Sequence, residues 1–124
     1  MMSEESVAVE LRLPPRAEFL RLARYAAADA AARAGLGMDA TDDVRLAVSE
    51  LCSLLTGSGV PIALRIEAAD GNVVVDGTGA PGPQLVGENG ELAQTLVEAV
   101  VDEFRFEVLD GQASFRITKQ GEQR

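Results

Sequence analysis

Residues 39–56 read DATDDVRLAVSELCSLLT, and the rest of the chain is arranged around this stretch. Apolar residues recur here every three or four positions, which predicts an amphipathic helix with one buried stripe. The stripe comprises Val44, Ala47, Val48, Leu51, Leu54 and Leu55. Asp39 or Thr41 is suited to cap the N-terminus of this helix. Glu50 lies beside the stripe, so its carboxylate either serves a function or extends to water.

Patterns on both sides of this helix predict the element order β-α-α-β-β-α-β-β. Alternating apolar residues predict strands at 6–13, 61–68, 72–76, 103–109 and 112–119. Helical periodicity predicts helices at 16–34 and 91–101, and the glycine-rich segment 77–90 is expected to be a surface loop. Asp70-Gly71 and Asp110-Gly111 predict hairpins. We therefore expect an α+β fold, a two-layer sandwich with helices on one face of a mostly antiparallel sheet. Residues 1–124 are expected to form a single domain with its core in about 6–119.

The two outer helices are each expected to bury one stripe. For the first helix the stripe is Phe19, Leu22, Ala23, Ala26, Ala27 and Ala30, and Gly35 is expected to end the helix. For the last helix the inward residues are Leu92, Leu96, Val97, Val100 and Val101. The outer face of the first helix carries the main basic group of the chain, Arg16, Arg21, Arg24 and Arg33.

Charge and composition narrow the classes of function. The formal net charge is -9, with one cysteine and no histidine. This excess of negative charge disfavours direct binding of nucleic acid and favours a basic partner. Without histidine there is no Ser-His-Asp or Cys-His catalytic set, and a single cysteine excludes nearly every zinc site. Cys52 is expected to be a small buried hydrophobe, with a redox role as the alternative.

The sequence contains no apolar run long enough to span a bilayer, and its first ten residues include three glutamates and no basic residue. We therefore expect no membrane segment and no signal peptide. A single cysteine is also typical of a protein in a reducing compartment, so the expected location is the cytoplasm.

Three segments in register carry a resemblance to a known family. Residues 43–52, DVRLAVSELC, are similar to a D-x-x-L-A-V-x-E-A-x-x-N helix; residues 101–104, VDEF, to M-D-E-V; and residues 111–119, GQASFRITK, to G-T-x-V-R-x-x-K. Together they resemble the anti-sigma factor and serine-protein kinase family of the histidine-kinase-like ATPase superfamily, over residues 7–119. The resemblance implies the histidine-kinase-like ATPase fold and a homodimer. It also implies that the protein binds a sigma factor and is released from it by an anti-anti-sigma protein.

The resemblance also implies an ATP site, and its helix positions are altered here. The family's helix places a Glu four residues before an Asn that binds Mg²⁺; here Glu50 is kept, but Leu54 stands at the Asn position. The family's G-x-G phosphate turn precedes the last helix. Counted back from Asp102, that position reads Glu91-Leu92-Ala93.

The adenine box of the family is altered as well. In its D-x-G-x-G pattern the Asp accepts the adenine amino proton. Here Gly77 and Gly79 match the glycines, but Val75 stands at the Asp position. Asp76 is displaced by one residue, which turns its side chain to the opposite face of the sheet. The residues left as cofactor-binding candidates are Glu50, Asp76, Gly77 and Gly79.

These substitutions predict an anti-sigma-factor-like regulator that binds a sigma factor or an anti-sigma-factor antagonist and has lost ATP binding and kinase activity. The resemblance implies a partner surface at Arg16, Glu18, Arg21, Arg24 and Tyr25. One alternative is an active serine kinase of an anti-anti-sigma protein, which would use ATP and Mg²⁺ through Glu50 and Asp76. A second alternative is an adaptor domain with an exposed apolar patch around Leu54 and Leu55. The side chains expected to fill the emptied nucleotide volume are Leu54, Val75, Leu85 and Val86.

Overall fold

The computed structural model describes residues 6–121, which form one five-stranded antiparallel sheet with a layer of helices on one face. The strands are β1 (Val7–Leu13), β2 (Ile62–Ala69), β3 (Asn72–Gly79), β4 (Glu103–Leu109) and β5 (Gln112–Gln120), in the spatial order β1-β2-β3-β5-β4. The helices are α1 (Leu20–Arg33), α2 (Met38–Ser53) and α3 (Glu88–Val100), with 3-10 turns at Ala17–Phe19 and Pro83–Leu85. The predicted α+β class, two layers and element order are confirmed.

Helix α2 lies in the middle of the helical layer, between α1 and α3 and above β5. Each of the six residues of its predicted stripe is at most 1% exposed. Two details of the prediction are wrong. The helix is preceded by Gly37, with no side-chain cap, so neither Asp39 nor Thr41 is the N-cap. It also ends at Ser53, and Leu54 enters the following turn, where its N–H bonds the carbonyl of Leu51 at 3.1 Å.

Helix α1 packs through alanine. Its buried residues are Leu20, Ala23, Ala27, Ala30 and Ala31. Leu22, which was predicted to face inward, is 48% exposed, because the close approach that alanine allows leaves only a narrow contact stripe. Gly35 ends the helix at φ +84, with Leu36 N–H bonded to Ala31 and Gly35 N–H to Ala32. This is a Schellman motif, as the glycine predicted.

Helix α3 is rotated relative to the prediction and begins three residues earlier, at Glu88. Its buried residues are Gly90, Ala93 and Val97, whereas Leu92 is 59% exposed and Leu96 39% exposed. The small residues allow the first turn to approach the loop before it, since a Cβ on Gly90 would overlap the carbonyl oxygen of Leu85. The loop predicted at 77–90 is shorter than expected, because β3 extends to Gly79 and α3 begins at Glu88.

Strand β1 forms an exposed edge, contrary to the expected half-buried strand. Val7 is 48% and Val9 41% exposed, and only Leu13 is fully buried. The reason is that α1 packs over β2 and β3 and leaves β1 uncovered. Within residues 6–121, no helix combines the length and the apolar character needed to cross a membrane.

The sheet face opposite the helices is charged and polar. One row of charges crosses all the strands in register: Glu10, Arg65, Asp76, Arg116 and Arg105. Asp76 bonds Arg116 at 2.6 Å, and this contact raises the pKa of the Arg116 guanidinium. Both groups are partly exposed, so the pair orders the surface and contributes little to stability.

Candidate functional site

The candidate site is a cleft between α2 and α3, which has a volume of about 310 Å³ and is open to solvent. Helix α2 places Glu50 in this cleft, where the side chain is half-buried. Helix α3 contributes Leu92 and Leu96, and Gln84 and Asn89 also line the cleft. The result is a shallow groove lined by both polar and apolar side chains, with one carboxylate from α2.

Leu54 lies at the base of this cleft and is 1% exposed. The sequence resemblance matches this residue to the family's Mg²⁺-binding Asn, and a leucine side chain offers no lone pair to a hard cation. The patch of exposed apolar surface expected around Leu54 and Leu55 is therefore absent among the described residues, because both side chains belong to the core. The exposed leucines that line this cleft, Leu92 and Leu96, lie on α3.

The loop after β3 closes over the end of α2. The N–H of Gly82 donates to the carbonyl oxygen of Leu54 at 2.7 Å. A Cβ on Gly82 would overlap the carbonyl oxygen of Thr56, so the two backbones are in direct contact. The expected filling side chains are only partly involved: Val75 is buried and Leu85 half-buried, but Val86 is 81% exposed. Val86 was wrongly predicted to fill the space, because the chain at this point is extended and turns out to solvent.

Gly77 and Gly79 face the helical layer and are buried by side chains. Gly77 pairs with Phe115 across β3 and β5, and the Phe115 ring lies where a Cβ of Gly77 would be. A Cβ on Gly79 would meet Leu55 at 3.2 Å. Val75, on the same face, is 0% exposed, and Asp76 lies on the opposite face with Arg116. The one-residue displacement of Asp76 thus has the predicted result, and the structure does not bring Asp76 together with Glu50.

The turn before α3 differs from the one expected from counting. Because α3 begins at Glu88, Glu91 is an exposed residue inside the helix and does not belong to the turn. The turn itself has Gly87, at φ +93, and Gly90 follows within the first turn of the helix. A glycine-bearing turn is therefore present. Glu88 and Glu91, both in the first helical turn, place negative charge where a phosphate group would approach.

The predicted partner residues lie on and beside the 3-10 turn at Ala17–Phe19 and on α1, and they differ in exposure. Arg16 pairs with Glu18 at 3.5 Å and lies over the Phe19 ring. Tyr25 is 65% exposed. Arg24 is the exception, since it turns towards α2 and donates to Ser49 Oγ at 3.3 Å. Arg21, on the same helix, is exposed.

Lys119 has a structural role that was not predicted from the sequence. Its ammonium group donates to the carbonyl of Val100 at 2.7 Å and pairs with Asp43 at 3.1 Å. It therefore links β5, the C-terminus of α3 and the first turns of α2. The available signal was its place in the alternation, because Lys119 follows Ala113, Phe115 and Ile117 on the inward face of β5.

Cys52 is buried in the core, and this desolvation raises the pKa of its thiol to about 12. The thiol is therefore protonated at neutral pH and behaves as the small hydrophobe that was expected. Within residues 6–121, no group of three or more acidic or cysteine side chains is arranged to hold a metal ion.

No protein-family model and no curated protein matches the chain. A comparison with solved structures finds a similar fold in the crystal structure of the RsbU and RsbW domains of Rv1364c from Mycobacterium tuberculosis, with a TM-score of 0.70 and 19% sequence identity. The match covers 92% of this chain and 32% of that chain, so this chain spans about a third of the length of the protein that it matches. Residues 6–121 therefore share a two-layer α+β fold with part of that structure.

Proposed function

We propose that this protein is an anti-sigma-factor-like regulator that binds another protein and has lost ATP binding and kinase activity. The observation that carries the proposal is the burial of two apolar side chains, Leu54 at the cleft and Val75 on β3. Leu54 is 1% exposed and Val75 is 0% exposed, at the positions where the related family places its metal ligand and its adenine acceptor. Neither side chain can replace the lone pairs that were lost.

The closed loop supports the same proposal. A nucleotide in this position would need access between the end of α2 and the loop after β3. The bond from Gly82 N–H to Leu54 holds these two segments in contact. The remaining cleft of about 310 Å³ is at the lower limit for a pocket that binds a small molecule.

The proposed partner is a sigma factor, an anti-sigma-factor antagonist, or each in turn. The net charge of -9 gives the protein a field that attracts a basic surface and repels nucleic acid. The proposed contact residues are Arg16, Glu18, Arg21, Arg24 and Tyr25. Tyr25 is the strongest of these, because an exposed tyrosine supplies contact area at little entropic cost. We also propose that the protein acts in the cytoplasm.

We further propose a homodimer formed by β1. An antiparallel pair of β1 strands centred on Leu11 would place Glu10 opposite the partner's Arg12, and this contact would occur twice. Both side chains are exposed, and the neighbouring Val7 and Val9 are 48% and 41% exposed. Opposite charges directly across an antiparallel pair are favourable.

Two measurements test the proposed function. Isothermal titration with Mg-ATP should give no heat, whereas micromolar binding would support the alternative of a serine kinase. The glycine turn at Gly87 is the observation that favours that alternative. Co-purification with the sigma factors and sigma-factor antagonists of the same genome should identify at least one partner, and Tyr25→Ala should weaken that complex. A protein that binds none of them would fit the adaptor alternative instead.

A further inference from the structure

The last helix exposes its larger apolar side chains. Leu92 and Leu96 lie one turn apart on α3 and are 59% and 39% exposed, while Gly90, Ala93 and Val97 make the contact with the body of the protein. An amphipathic helix normally buries its leucines, so this orientation leaves an apolar pair without a partner among the described residues.

This leucine pair borders the cleft that α3 forms with α2. Across the cleft, Leu54 provides an apolar base and Glu50 a carboxylate. The groove is open to solvent and has about 310 Å³ of free volume. Its two exposed leucines, one turn apart, suit the apolar side chains of one helical face, which enter a groove at i and i+4 spacing.

The charge around the groove is of one sign. Glu50 is the charged residue that lines the groove, and α3, which forms its other wall, contains Glu88, Glu91 and Glu98 and no basic residue. None of the ion pairs found within residues 6–121 involves these four carboxylates. Because the field is not neutralised locally, the groove favours a cationic ligand and disfavours a phosphate or an acidic peptide.

We propose that the cleft between α2 and α3 binds an amphipathic helix of a partner protein, with two apolar side chains one turn apart flanked by lysine or arginine. The apolar pair of the partner packs against Leu92 and Leu96, and its basic residues face Glu50. This surface is separate from the proposed contact residues on α1. The inference rests on the proposed loss of nucleotide binding, which the titration with Mg-ATP tests independently.

The probe is a fluorescein-labelled 14-residue helical peptide of leucine and lysine, with leucine at i, i+3, i+4 and i+7. Its binding to the full chain is followed by fluorescence anisotropy. Leu92→Ser combined with Leu96→Ser should weaken binding by about tenfold or more, because the apolar anchors of an interface carry most of its energy. Glu50→Gln should weaken binding at low salt by roughly threefold to tenfold and have less effect at high salt.

The matched control is Leu109→Ser, which removes a leucine that is 70% exposed and does not line the cleft. This variant should bind the probe as the unsubstituted protein does. A second peptide with every leucine replaced by alanine keeps the charge and should bind at least tenfold more weakly.

Two results would overturn the proposal. One is equal binding of the probe to the Leu92→Ser, Leu96→Ser variant and the unsubstituted protein. The other is equal binding of the alanine peptide, which would show that net charge alone attracts the probe. Because both leucines are exposed, the variants should keep their melting temperature, and circular dichroism checks this before binding is compared.

Discussion

Gly82 is the residue at which the contact between the loop after β3 and the end of α2 can be tested most directly. Its φ of -92 is accessible to any residue, so Gly82→Ala introduces no backbone strain. The added methyl group would instead overlap the carbonyl oxygen of Thr56 and lie 3.1 Å from that of Leu54. Both obstacles are backbone atoms, so the loop must move away from the end of α2.

The expected cost follows from two contributions. Displacing the loop breaks the 2.7 Å hydrogen bond from Gly82 N–H to Leu54, which is worth about 1 kcal/mol. Overpacking adds about 1–3 kcal/mol. Alanine restricts the unfolded chain more than glycine does, which stabilises the folded state by about 0.4–1 kcal/mol. We expect a net loss of about 2–3 kcal/mol in the free energy of unfolding, or a melting temperature lower by roughly 10 °C for a domain of this size.

Gly37→Ala is the matched control. Gly37 has φ -74, and a Cβ there meets nothing within 4 Å. Its stability should change by less than about 1 kcal/mol. Thermal and urea unfolding followed by circular dichroism measure both variants, and hydrogen exchange should show that the amide of Gly82 is protected in the unsubstituted protein. If Gly82→Ala and Gly37→Ala have the same melting temperature, the loop after β3 is not held against the end of α2.

Three further predictions concern separate parts of the molecule. Leu54→Asn places the family's metal-binding residue type at position 54. It should lower the free energy of unfolding by about 3 kcal/mol, because it buries an amide in an apolar site. It should not create Mg-ATP binding, and heat on titration of this variant would contradict the prediction. Cys52 is protonated in the folded protein up to a pKa of about 12, whereas the unfolded thiol ionises near 9.0, so stability should fall as pH rises through this interval. Urea unfolding at pH 8 to 10 should show this fall, and equal slopes for Cys52→Ala would assign it to other groups. Glu10→Arg and Arg12→Glu should each weaken the proposed homodimer and the double variant should restore it, as measured by light scattering during gel filtration; a double variant that stays monomeric would exclude the proposed register.

The central helix and the sheet were predictable because their patterns are locally determined. The stripe from Val44 to Leu55 has one dominant period, and every one of its residues is buried. The hairpin at Asp110-Gly111 was also predictable, because a two-residue turn needs positive φ at both positions, and Asp110 and Gly111 have φ of 53 and 79. In such cases the local preference and the tertiary packing agree.

The orientation of α3 was not predictable from periodicity, because two stripes compete on this helix. Leu92 and Leu96 have the greater hydrophobicity, but the buried face is made by Gly90, Ala93 and Val97. Close approach of two backbones favours small residues, and this tertiary requirement outweighs the transfer free energy of the leucines. The same effect explains the exposed Leu22 on the alanine-rich α1.

The candidate site shows which part of a sequence motif carries chemical information. Gly77 and Gly79 match the glycines of a nucleotide box, yet both positions are needed for packing, since Phe115 and Leu55 occupy the space that a Cβ would take. Glycines of this kind are retained for the fold whether or not a nucleotide binds. Positions that supply lone pairs have no such second role. The leucine at position 54 and the valine at 75 are therefore stronger grounds for expecting no ATP binding than the matching glycines are for expecting it.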